Sequence, residues 1–243
     1  MMREPDEGRP LIRLGYTGAP ALVQLGFMRA IDEAGFTPRV VATGLGALVG
    51  ALWACETDLQ RAAGVLAHLS WDQADTDLFG WVELLVRGRK IEELSRPLTI
   101  VALDLTSGER VAFREGPLAD AVRKAAGLPG WLPPLADGRR RWVDAGHLTP
   151  SWLQETGILT DESLIGMIPA QAFDDRQAEP AAAAVRLANA WHTEMMSSGN
   201  CMLGADVVHP LGPLDFHAIE VPTIQVYRHA GVWLKHVACL KEK

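Results

Sequence analysis

Residues 40–50 read Val-Val-Ala-Thr-Gly-Leu-Gly-Ala-Leu-Val-Gly, and no other stretch limits the fold of this chain so sharply. A short β-branched run meets a glycine-containing frame and passes without a spacer into an apolar run of helical length, so a strand turns directly into a helix. That is the backbone of a nucleophile elbow, in which a small-x-Ser-x-Gly frame holds a serine in strained geometry at the tip of a strand. Here the frame is Ala42-x-Gly44-x-Gly46, and the nucleophile position is Gly44. Glycine adopts such a conformation without steric penalty, so Gly44 preserves the turn and removes the oxygen that would attack a substrate.

Upstream, residues 11–14 form a short apolar strand entering Gly15-Tyr16-Thr17-Gly18, followed by a helical pattern over 20–34. Pro20 suits a first turn, the apolar residues Leu22, Leu25, Met28 and Ile31 recur at helical spacing, and Gly35 closes the helix. Strand, helix, strand and helix in that order with short joints favour parallel pairing. Further on, the pattern predicts helices over 59–69 and 80–86 around a loop at 71–78. It then gives a strand from Leu98, a turn at 139–141 beside Gly138, a strand over 163–168, an alanine-rich helix over 178–196 and an amphipathic helix over 222–241. The apolar positions of that last helix are Ile224, Tyr227, Val232, Leu234 and Val237. Residues 174–177 and 197–200 read as polar joints.

A chain of 243 residues with 48% apolar content buries one substantial core, which divides it into a polar tail over 1–10 and one domain over 11–243. The net charge of −7 argues against a nucleic-acid surface. No apolar run approaches a membrane span, and the acidic start is unlike a signal peptide, so the expected location is cytoplasmic, with peripheral lipid contact through Trp71, Phe79 and Trp81. Cys55, Cys201 and Cys239 lack redox or metal spacing, and the histidines show no zinc arrangement, so neither cofactor nor metal is expected. His147, three residues past Asp144, reads as a polar loop residue.

The elbow, the helix at 25–35 and four later stretches together resemble the patatin-like phospholipase family. Those stretches are 97–109, 113–123, 128–134 and Trp142-Val143-Asp144-Ala145-Gly146, with Ala205-Asp206-Val207-Val208-His209-Pro210 and Leu214-Asp215-Phe216 near the end. The resemblance implies a three-layer α/β fold with a mostly parallel sheet flanked by helices. It also implies a serine and aspartate dyad without histidine, in which backbone amides of a glycine-rich loop stabilise the oxyanion. Carried over by position, Asp144 matches the dyad aspartate, Gly44 the missing serine, and Gly15, Tyr16, Thr17 and Gly18 the oxyanion loop. Where the family has three glycines in a row this chain has Tyr16-Thr17-Gly18, and Pro20 stands where the family has an arginine.

A single engineered knockout would leave the loop intact. Joint change of nucleophile and loop reads instead as a natural pseudoenzyme, a binding, assembly or lipid-sensing subunit. The alternative is a residual lipid acyl hydrolase in which Asp144 activates water. Asp144 has a plain reading too, as a turn or capping carboxylate, and Thr43 reads as a strand-end residue pointing away from the site. The family's longer insertion before Leu98 is abbreviated here, which leaves the acyl pocket truncated or open. The partners in view are a protein or a second copy of the chain, and a fatty acyl or phospholipid ligand.

Overall fold

The computed structural model describes residues 9–68, 74–86, 88–146, 148–159, 164–167, 180–196, 201–203, 211–212 and 214–236. Strand β1 (Leu11–Leu14) leads through the loop at 15–18 into helices α1 (Ala19–Leu22) and α2 (Gln24–Glu33). Strand β2 (Arg39–Ala42) turns into α3 (Gly46–Ala54), which is followed by α4 (Leu59–Ala67) and α5 (Ala74–Val86). Then come β3 (Leu98–Asp104), β4 (Glu109–Phe113), α6 (Leu118–Ala126), β5 (Leu135–Asp137) and β6 (Arg140–Asp144). The chain continues through α7 (Pro150–Glu155), β7 (Leu164–Met167), α8 (Pro180–Met196), β8 (Cys201–Leu203) and α9 (Glu220–Leu234).

The eight strands form one mixed sheet in the order β5-β6-β3-β2-β1-β7-β8, with β4 on the remaining edge of β3. Pairing is parallel from β3 to β8 through β2, β1 and β7, and antiparallel where β4, β6 and β5 join. Strand alternation divides the apolar side chains between the two faces. Ile12, Leu14, Val40, Ala42, Ile100 and Ala102 join the larger core with α2, α3, α4, α6 and α9, whereas Leu11, Val41 and Val101 join a smaller one with Leu153 of α7. The expected three-layer α/β arrangement is therefore present.

Register then brings together residues far apart in sequence. Strand β4 pairs with β3 at 100–104, so β2, paired at Leu98 to Ile100, and β6, paired at Ala102 to Asp104, must both lie along the other edge. Running in opposite directions along that edge, β2 ends opposite Ile100 and β6 ends opposite Ala102. Their C-terminal ends meet head to head across one residue of β3. This is what sets Asp144 beside Thr43 and Gly44.

Several sequence expectations need correction. The single helix over 20–34 is two, divided at Val23, which keeps right-handed helical angles while Gly26 bonds back to its carbonyl in a tighter turn. The loop at 71–78 and short helix at 80–86 are replaced, from Ala74 onward, by the single helix α5, because the lone glycine at 80 weakens a helix by about 1 kcal/mol without ending it. Of the basic triplet only Arg139 lies in the turn after Gly138, and Arg140 and Arg141 are already in β6. Helix α9 begins two residues earlier than expected and ends at Leu234; its buried stripe is Pro222, Thr223, Val226, Ala230 and Leu234, so Val232 faces solvent. Residues 1–8, Trp71, His147, Asp174 to Gln177, Ser197 to Asn200, the 205–210 motif, Val237 and Cys239 lie outside the described residues, as do the side chains of Phe79, His192 and Cys201.

Candidate functional site

Thr43 follows the last residue of β2, Asp144 is the last residue of β6, and both are buried, Asp144 being 7% exposed. Thr43 Oγ1 donates to Asp144 Oδ1 at 2.7 Å and accepts the amide of Ala145 at 3.0 Å. Gly146 N–H reaches the same carboxylate oxygen at 3.0 Å, and the backbone N–H of Asp144 bonds Gly127 O at 2.7 Å. A carboxylate that accepts a hydroxyl and an amide is fixed in place by charge-assisted bonds. Thr43 thus points at the site and not away from it, contrary to the sequence expectation, and it clamps Asp144. The chain left this unmarked, because 101 residues separate the two and only the shared edge of β3 joins them.

Gly44 has φ +57°, the left-handed geometry expected at an elbow tip. A Cβ built there would stand 2.9 Å from Asp144 Oδ2, so a side chain at this position would face the carboxylate. It would also stand 2.5 Å from the carbonyl oxygen of Tyr16, closer than any carbon can approach without displacing backbone. Gly46 permits the second close approach of the elbow: its Cβ would lie 2.7 Å from Gly15 N and 2.8 Å from Gly15 O, so any side chain would push α3 off the loop. Ala42 packs in the larger core beneath the turn.

The loop at 15–18 turns the Tyr16 carbonyl toward Gly44 and Leu45. Tyr16 is fully buried and has φ +72°, a conformation that strains a side-chain-bearing residue by about 1–2 kcal/mol. In that conformation its carbonyl accepts the Leu45 N–H at 3.0 Å. In α/β-hydrolase elbows the amide following the nucleophile is one of the oxyanion donors, and here that amide is engaged inside the protein. The Thr17 amide is engaged too, donating to Asn189 Oδ1 at 2.9 Å while Asn189 Nδ2 donates to Thr17 O at 2.9 Å. Gln24 Nε2 donates to Gly15 O at 3.1 Å, and Gly18, φ +67°, caps α1. Sequence reading missed Asn189 and Gln24. The visible signal was a lone amide in the alanine-rich run of α8 and another at the first position of α2, each needing a partner once buried.

Under the sheet, on the face of the smaller core, Arg13 is buried and donates to Leu148 O. Burial pulls its guanidinium down to about 10, with Tyr16 acting in the opposite sense, so it stays charged at neutral pH. Cys55 is buried at the far end of α3, and among the described residues no cluster of His, Cys, Asp and Glu is suited to a metal. No helix among the described residues is long and apolar enough to cross a membrane. Among the described residues, three cavities of about 110, 280 and 440 Å³ are lined by residues that include neither Gly44 nor Asp144.

No protein-family model matches the chain. An uncharacterized NTE family protein of Mycobacterium tuberculosis is 28% identical over 204 residues, covering 74% of this chain and 54% of that protein. A second uncharacterized NTE family protein from the same species is 29% identical over 146 residues, 54% of this chain and 25% of its own length. Patatin-like phospholipase domain-containing protein 7 of Mus musculus is 28% identical over 156 residues, 56% of this chain and 12% of that protein. The chain spans about half the length of the first of these relatives, and less of the others.

Proposed function

The chain belongs to the patatin-like family, and on that premise we propose that residues 11–243 form a catalytically degenerate patatin-like unit that acts as a binding or assembly subunit. The observation that carries the proposal is the Tyr16 carbonyl, 2.5 Å from where the Cβ of a nucleophile would be and bonded to the Leu45 amide. Three parts of an acyl-transfer site are altered together. The hydroxyl is absent at Gly44, the neighbouring amide is engaged, and the Thr17 amide is turned to Asn189. Removing a single oxyanion donor slows catalysis by an amount equivalent to about 2.7–4 kcal/mol, and loss of the nucleophile costs more.

Asp144 supports a second reading, because it remains aimed at the elbow: a residual lipid acyl hydrolase in which the carboxylate activates water. The engaged amides weigh against it, since a water attacking an ester needs the same oxyanion donors that a serine needs. Turnover of a short-chain aryl ester and of a phospholipid by the natural protein, beside Asp144→Asn, separates the two. The pseudoenzyme predicts background rates for both proteins. Ester hydrolysis by the natural protein that disappears in Asp144→Asn overturns it and establishes the hydrolase.

A further inference from the structure

The largest of the three cavities, about 440 Å³, lies between α4 and α5 at the C-terminal end of α3, the opposite end of that helix from the elbow. Its size falls within the range of about 300–1,000 Å³ typical of small-molecule sites. One wall is apolar, made by Ala62 and Val65 of α4 and by Leu84, Leu85 and Val86 of α5. That wall continues outward onto the surface. Leu84 is 70% exposed, Val65 38%, and Trp81, one turn before Leu84, 39%.

Arg61 and Arg89 line the same cavity. Arg61 sits one turn before Val65 on α4, and Arg89 four residues beyond Leu85. Neither guanidinium has a hydrogen-bond or ion-pair partner among the described residues. The two carboxylates in the lining are held by other groups. Asp58 caps α4 by accepting the Arg61 amide at 3.0 Å, and Glu56 accepts Ser95 Oγ at 2.9 Å with Arg96 at 3.9 Å. The polar end of the cavity therefore offers two guanidinium groups that no described residue engages, with the Asp58 and Glu56 carboxylates in the same lining, beside an aliphatic wall.

We propose that this cavity binds a single-chain anionic amphiphile, its carboxylate or phosphate head held by Arg61 and Arg89 and its hydrocarbon chain laid along Val65, Leu84 and Leu85. Guanidinium groups match such heads with paired, charge-assisted hydrogen bonds, and covering exposed Leu84 and Val65 removes apolar surface from water. The site is separate from the elbow, and the proposal holds whichever reading of the elbow is correct.

The test is titration calorimetry of the full chain with dodecanoate below its micelle concentration, beside dodecanol and acetate, repeated on Arg61→Gln/Arg89→Gln and on Leu84→Asp. Dodecyl phosphate and phosphatidylcholine vesicles with and without phosphatidic acid distinguish a free amphiphile from a bilayer headgroup. Expected is one-to-one binding of dodecanoate or dodecyl phosphate, at least tenfold weaker in both variants and at least tenfold weaker for dodecanol and acetate. The altered side chains line an open cavity, and unchanged thermal unfolding verifies that both variants fold. Undiminished binding by the arginine variant, equal affinity for dodecanol, or association with phosphatidic-acid vesicles but with neither single-chain anion overturns the proposal.

Discussion

Replacing Gly44 by serine looks from the sequence like restoration of an enzyme, and the structure predicts that it fails. The new Cβ would lie 2.5 Å from Tyr16 O, whose carbonyl is tied to the Leu45 amide. Relief requires moving backbone, comparable to overpacking a core, at about 1–3 kcal/mol. The φ of +57° adds about 1–2 kcal/mol for a residue with a side chain. Together Gly44→Ser should lose about 2–5 kcal/mol, which for a domain of this size lowers Tm by roughly 4–20 °C. Gly44→Ala isolates the steric part, because it adds the same Cβ without the hydroxyl, and should lose nearly as much. Urea unfolding of the three proteins with a common m-value measures the difference, and ester turnover of each tests for gained activity. A Gly44→Ser protein within 0.5 kcal/mol of the natural one, or one that hydrolyses ester in an Asp144-dependent way, would refute the argument from the Tyr16 carbonyl.

Thr43→Val removes the hydroxyl that bridges Asp144 and the Ala145 amide; leaving those groups buried and underbonded should destabilise by about 1.5–3 kcal/mol in urea unfolding. Asn189→Leu breaks the paired bonds to Thr17 and should destabilise by about 2–4 kcal/mol, with faster hydrogen exchange at the Thr17 amide as the local readout. Gly26→Ala places a Cβ 2.1 Å from the Thr223 carbonyl, so it should prise α9 from α2 and lose at least about 1–3 kcal/mol, measured by thermal unfolding. Lys124 contacts Asp120 at 2.7 Å and Asp137 at 3.1 Å. Desolvation lowers the Lys124 pKa, but the two aspartates outweigh it and the net shift is upward; the Lys124 hydrogen bond and charge hold Asp137 below its usual 3.8. The Asp137 contribution is present above pH 3.8 and lost as pH falls through its depressed pKa, and the Lys124 contribution is present below pH 10.5 and lost as pH rises through its raised one. The stability gap between the natural protein and Lys124→Met should therefore shrink at both extremes of pH, as followed by urea titrations across pH.

Local chemistry carried a large part of the fold. The strand-to-helix turn at 40–50 was legible because a β-branched run, two glycines and an apolar helix follow one another without interruption, and backbone preference within a few residues decides such a joint. The strand at Leu11, the helix spacing of Leu25, Met28 and Ile31, and Asp144 at a strand's end were legible for the same reason. The expected loop before Gly80 and the expected apolar face at Val232 failed where tertiary contacts override propensity: α5 runs through its glycine, and the rotation of α9 is set by its fit to Gly26.

That residue 44 carries no hydroxyl and that the loop at 15–18 is not a run of glycines are matters of residue identity, readable from the chain alone. What surrounds them follows from folding. Tyr16 turns its carbonyl to the elbow because Leu45 offers an amide there, Asn189 takes the Thr17 amide across 172 residues, and Thr43 finds Asp144 because β2 and β6 end against each other on β3. Each depends on where a polar backbone or side-chain group finds its partner once buried, and that is fixed by strand register across the sheet and not by any neighbour in the chain.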